Sequence, residues 1–130
     1  FATPGVNIGL FCSTPMVALS RNVSNKHAME MLLTGDMVSA TRAEQIGLIN
    51  RTVEPTQLTE ETMAIAAKIA SKSTMTVATG KTAFYEQQNM KLSSAYAYTS
   101  QIMVDNMLKL DAKEGISAFI EKRHPKWQDR

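Results

Sequence analysis

Ala28-Met29-Glu30-Met31-Leu32-Leu33-Thr34-Gly35-Asp36 is the stretch on which the reading of the fold turns. Apolar residues crowd positions 26–33 and a glycine follows two residues later, so the spacing predicts a helix over 26–33. Gly35 stops it, because glycine enters the left-handed conformation without a Cβ penalty. Asp36, just past the stop, reads first as a turn residue and only second as a functional carboxylate.

The pattern extends outward on both sides. Upstream, Met16, Leu19 and Val23 fall at helical spacing, Pro15 suits a first helical position and Thr14 its cap, which predicts a helix over 16–23. Val6-Asn7-Ile8-Gly9-Leu10-Phe11 alternates loosely between turn signals and predicts a short strand or an extended segment leading into a turn. Downstream, residues 39–46 read as a short helix with Ser39 as N-cap and Gly47 just past its end. Residues 48–53 alternate with β-branched residues and predict a second strand, ended by Pro55.

Beyond Pro55 the pattern is helical to the end. Residues 57–71 carry Glu60 and Glu61 early and Lys68 and Lys72 late, matching the helix dipole, with Leu58, Thr62, Ile65 and Ile69 as one stripe. Helices follow over 74–88, with Gly80 as a weak point inside, and over 94–109. A last helix opens at Asp111-Ala112-Lys113-Glu114 in the manner of a capping box, with Ile116, Phe119 and Ile120 as its apolar face. A short α/β piece over 1–53 is thus followed by a helical tail over 54–130. The tail's apolar stripes exceed what one small bundle buries, so packing on a partner and a self-contained subdomain both remain open. Phe1 opens directly into what reads as ordered chain, so a longer protein is expected.

Composition bounds the function. The chain has 130 residues and a net charge of +2, with 44% apolar and 20% charged residues, which is ordinary for a globular domain and unlike a disordered one. No basic run marks a nucleic-acid face, and no apolar run reaches the roughly 18 residues of a membrane span. A single cysteine, Cys12, forms no internal disulfide and fits a reducing compartment. Nine methionines suggest cores or interfaces filled by adaptable side chains.

Side-chain chemistry alone gives little. His27 and His124 lie far apart and outside any metal-ligand spacing, so no metal site is expected. Cys12 reads as a small buried hydrophobe rather than a nucleophile, since no base is placed beside it. Gly5 and Gly9 do not make a dinucleotide-binding pattern. Glu30, Glu44, Glu60, Glu61 and Glu114 sit on helices among polar neighbours, outside the apolar setting that general acid–base work calls for. Lys122-Arg123-His124-Pro125-Lys126-Trp127 gathers positive charge beside an aromatic. It reads either as a phosphate contact or as helix-end electrostatics with a tryptophan anchor.

In order along the chain, short motifs resemble the enoyl-CoA hydratase/isomerase, or crotonase, superfamily. They are Phe1-Ala2-Thr3-Pro4 with Val6 and Ile8-Gly9-Leu10; the 28–36 stretch; Ser39-Ala40, Ala43 and Gly47-Leu48-Ile49; and Glu114-Gly115-Ile116-Ser117-Ala118-Phe119-Ile120-Glu121-Lys122-Arg123. The resemblance implies an α+β fold, mostly α in this chain: residues 1–53 as the end of a ββα spiral core and 54–130 as a helical trimerisation region. It implies acyl-CoA as ligand or substrate in fatty-acid metabolism, no cofactor beyond that thioester, a trimer or hexamer of like chains, and a mitochondrial setting.

The same resemblance assigns residues. Lys122 matches a C-terminal lysine that contacts the CoA nucleotide, and Met103 falls where hydratases often carry an aromatic near the CoA tail. The family's oxyanion hole, two backbone N–H donors aimed where negative charge develops, belongs to segments that would precede Phe1, so these residues alone are expected to be inactive. Gly5 stands where a hydratase of this type carries its catalytic Glu, leaving no catalytic residue in the chain. Removing a general acid–base typically loses about 10²–10⁴-fold in rate. The implied function is an acyl-CoA-binding member with weakened or absent hydratase activity. The alternatives are an active lyase or isomerase using carboxylates upstream of Phe1, and a non-catalytic oligomerisation module.

Overall fold

The structure, a computed structural model, describes residues 1–130 and contains helices and turns but no strand. Contacts divide it into two units, Phe1–Leu58 and Thr59–Arg130.

In the first unit a 3₁₀ turn, Pro4–Ile8, precedes helices α1 (Pro15–Asn22), α2 (Asn25–Thr34) and α3 (Ala40–Gln45). Leu19, Val23, Ala28, Met31 and Leu32 form its core, with Cys12, Val38, Ile46 and Leu48 packed against them. Gly35 ends α2 at φ 66° as expected, and it does a second thing. A Cβ there would lie 2.9 Å from Asn7 Nδ2 and 3.1 Å from Val6 Cγ2, so the missing side chain lets the 3₁₀ turn close onto α2. The buried Thr3 hydroxyl, donating to the Met31 carbonyl at 2.8 Å, fastens the same approach. Ser39 caps α3 by accepting from the Arg42 N–H at 3.1 Å, and Gly47 follows at φ 80°. Thr14 precedes Pro15 at the start of α1, but its hydroxyl makes no capping bond.

Neither expected strand forms, for one reason: their backbone groups are taken locally. Pro4 opens a 3₁₀ turn, the Leu10 N–H returns to the Gly5 carbonyl at 2.9 Å, and Gly9 reverses the chain at φ 77°. Around 48–53, the Leu48 and Ile49 N–H groups both donate to the Ala43 carbonyl, and the Thr52 N–H to Glu44 Oε2 at 2.9 Å. Alternation alone makes no strand when there is no ladder to join.

The second unit holds α4 (Leu58–Ala70, its first residue closing the first unit), α5 (Thr74–Gln87), α6 (Leu92–Met107) and α7 (Leu110–Ile120). α5 runs unbroken through Gly80 and packs on α6, which packs on α7. The apolar residues buried here are small: Ala83, Ala95 and Ala118. Most of the large ones are exposed. Of the expected α7 face, Phe119 is 85% exposed and Ile120 72%, while Ala118 is the buried contact. No residue of α4 is buried. The helix periods were right, but the stripes they define are not covered within this unit.

The capping box at Asp111 does not form. α7 begins beyond Lys109, and the buried Asp111 accepts from the Gln128 and Asp129 N–H groups at 2.7 and 3.0 Å. The Ser73 hydroxyl, then these two N–H groups, hold its carboxyl below the usual range. Its helix-start character is spent on the C-terminal segment instead. No helix is long and apolar enough to cross a membrane.

Candidate functional site

Gly5 lies in the 3₁₀ turn, half-buried, with its peptide bound on both sides. Its N–H donates to Cys12 Sγ at 3.3 Å and its carbonyl accepts from Leu10. A Cβ at this position would lie 2.7 Å from the Leu10 carbonyl oxygen and 2.8 Å from Cys12 Sγ. The first neighbour is backbone and cannot swing away. The chain has therefore closed over the place where a side chain would leave, and no titratable group stands there. Cys12 is the free, partly buried thiol that fills the gap and packs against the unit's core.

The C-terminal residues are held by a run of side-chain hydrogen bonds. Arg123 donates to both carboxylate oxygens of Glu114 at 2.6 and 2.9 Å, and through Nε to Glu121 at 2.5 Å. Glu114 also accepts from the Lys126 N–H at 2.7 Å. The Arg123 guanidinium, and after it that N–H, pull the Glu114 carboxyl from 4.5 down to about 2. Trp127 donates its indole N–H to the Ser71 carbonyl at 2.8 Å and lies over Gly115, where a Cβ would come within 3.3 Å of the ring. Asp129 accepts from the Met75 N–H at 3.2 Å. Residues 124–130 thus form a strap fastened to α7 and to the start of α5. Of the two readings of this basic segment, the strap realises the tryptophan anchor, and the Arg123 charge is committed to carboxylates.

Lys122 follows α7 with its side chain exposed and in no ion pair, at a left-handed φ of 55°. Its N–H donates to the Phe119 carbonyl and that of Arg123 to the Ala118 carbonyl, at 3.3 and 3.0 Å. This is a Schellman ending with lysine where glycine is usual. Met103, 61% exposed, borders a small cavity of about 160 Å³ between α5 and α6 with Thr76, Thr99 and Asn106. Lys122, beyond the end of α7, is not among its walls. Gly5 belongs to the other unit. A larger cavity of about 570 Å³ lies among α5, α6, α7 and the strap, and Asn106 Oδ1 is buried there without a hydrogen-bond partner.

The remaining sequence candidates resolve simply. His27 faces Glu30 at 3.8 Å on the same helix, and no group of three potential metal ligands occurs. Asp36 donates its N–H to the Thr34 hydroxyl at 3.2 Å as a turn residue does. Composition gave no sign of the Glu114–Arg123 pair. Its signal was the spacing of nine residues around one helix end, where an acid and a base flank the stop.

Comparison with known proteins places these features. Enoyl-CoA hydratase domain-containing protein 3, mitochondrial, of Rattus norvegicus is 57% identical over 127 residues, 98% of this chain and 42% of its own. The Homo sapiens protein of that name is 55% identical over the same length. The crystal structure of the human protein aligns with a TM-score of 0.93 at 55% identity, covering 98% of this chain and 50% of that one. An enoyl-CoA hydratase from Mycobacterium smegmatis gives 0.93 at 52% identity, covering 98% and 49%. The chain therefore spans about half the length of the proteins it matches, and its helices are those of the C-terminal portion of the crotonase fold. The family model for enoyl-CoA hydratase/isomerase matches residues 1–130, from the closed turn at Gly5 to the strap, and to that family this chain belongs.

Proposed function

We propose that the protein binds acyl-CoA thioesters in mitochondrial fatty-acid metabolism and hydrates them weakly or not at all. The observation that carries this reading is the geometry at Gly5. Where the family resemblance expects a glutamate to move a proton between substrate and water, the chain has a residue without a side chain and without room for one. The loss expected from removing such a group is about 10²–10⁴-fold. The mitochondrial setting is supported by the names of the relatives.

The binding half of the proposal rests on the second unit. Lys122 presents an unpaired ammonium suited to a CoA phosphate as a mobile point charge. Met103 packs near the CoA tail with an adaptable thioether in place of an aromatic face. The surface surrounding these residues is proposed to be covered by like chains in a trimer or hexamer, with residues 54–130 as the assembling region. Exposed large apolar side chains such as Phe119 and Ile120 support it, since these are side chains a contact face would cover.

A second reading, an active lyase or isomerase drawing on carboxylates elsewhere in its length, is favoured by the hydratase name of the M. smegmatis relative. The two part in one experiment on the protein at its natural length. Calorimetry should detect crotonyl-CoA binding while the enoyl absorbance decays no faster than about one-hundredth of an ordinary enzymatic turnover of 1–10³ per second. Turnover within that ordinary range decides for the second reading.

A further inference from the structure

Lys122 is held in a backbone conformation that a lysine adopts only with strain, and the groups on either side of it form a closed network of their own. Glu121 accepts from Arg123 Nε, and Arg123 in turn lays its fork on Glu114, fully two turns back along α7. Glu114 also accepts from the Lys126 N–H, which fixes the chain beyond. Both neighbours of Lys122 are thereby tied, while Lys122 itself carries no ion pair. Four of the five Arg123 N–H donors are taken by two carboxylates and the His124 carbonyl, whereas the Lys122 ammonium is in no ion pair. Strain kept in place by such surroundings points to function rather than to chance.

We propose that Glu114 and Arg123 are positioning residues that fix the backbone on both sides of Lys122 and so set where its ammonium meets the CoA phosphates. The proposal rests on Lys122 being the CoA contact. A lysine whose main chain is already fixed loses less freedom on binding, and removing that advantage weakens binding by about threefold to tenfold.

The test uses coenzyme A in titration calorimetry with the protein at its natural length. Glu114→Gln and Arg123→Lys each weaken binding by about threefold to tenfold; the lysine does not rescue, because an ammonium cannot make the two-point fork. In a Lys122→Ala background, Glu114→Gln changes nothing further. Equal weakening with and without Lys122 would mean general structural damage and overturns the positioning role. Unchanged affinity in Glu114→Gln and Arg123→Lys, with Lys122→Ala weakened, also overturns it and leaves the CoA contact standing. Unchanged affinity in Lys122→Ala overturns the contact itself. Should Glu114→Gln fail to fold by circular dichroism, Arg123→Lys and its double variant with Lys122→Ala carry the same comparison.

Discussion

A glutamate placed at Gly5 should not raise the hydration rate, and it should cost stability. The Gly5→Glu substitution places a Cβ 2.7 Å from the Leu10 carbonyl oxygen and 2.8 Å from Cys12 Sγ, where ordinary contacts exceed 3.4 Å. Gly5 carries no positive φ, so the backbone conformation itself admits a side chain and the burden is steric. Overpacking of this kind costs about 1–3 kcal/mol. Parting the Leu10–Gly5 backbone bond adds about 1 kcal/mol, and the stiffer unfolded chain returns about 0.4–1 kcal/mol. The net is about 1–3.5 kcal/mol, or a fall in Tm of roughly 2–14 °C. Differential scanning calorimetry reads the stability and the crotonyl-CoA assay reads the chemistry. Adding Cys12→Ala should recover only part of the stability, because the carbonyl neighbour stays. A Gly5→Glu protein with unaltered Tm and a hundredfold gain in hydration would mean that the turn accommodates a working acid there.

Two further outcomes concern the strap and the helix end. Lys122→Gly relieves a left-handed conformation that costs an ordinary residue about 1–2 kcal/mol, so it should raise Tm while weakening CoA binding, both read on the same preparation. The Glu114 carboxyl is depressed to about 2 in the folded chain from 4.5, so its contribution to stability is complete above pH 4.5 and is lost as the pH falls through about 2. Asp111 shifts in the same direction. Fluorescence of Trp127, the one tryptophan among these 130 residues, should therefore hold steady down to about pH 4 and change as the pH approaches 2; a transition near pH 6 would contradict the assignment.

Local signals carried much of the fold and little of the site. Gly35, Gly47 and Ser39 were legible because each acts through its own backbone or its nearest turn. The two strands failed because alternation describes side-chain pattern, whereas Ala43 and Gly5 had already claimed the backbone groups a ladder would need. Asp111 was misread for a related reason: a carboxylate near a helix start can serve any N–H within reach, and the strap arrives from 17 residues away. The resemblance marked Gly5 as a position where a hydratase is expected to carry an acid. It gave no hint that Leu10 and Cys12 leave no room for a side chain there, since that depends on how the turn closes. The Glu114–Arg123 pair and the Schellman ending at Lys122 form together, and neither carries a local signal.

The decisive measurement mixes the protein at its natural length with crotonyl-CoA in molar excess over it and follows both bound thioester and hydrated product with time. A binder that hydrates weakly gives a stoichiometric complex in which product accumulates at least about 10²-fold more slowly than in an ordinary enzyme of this chemistry. Rapid multiple turnovers, with Gly5 in place and the sequence unchanged, would contradict that function.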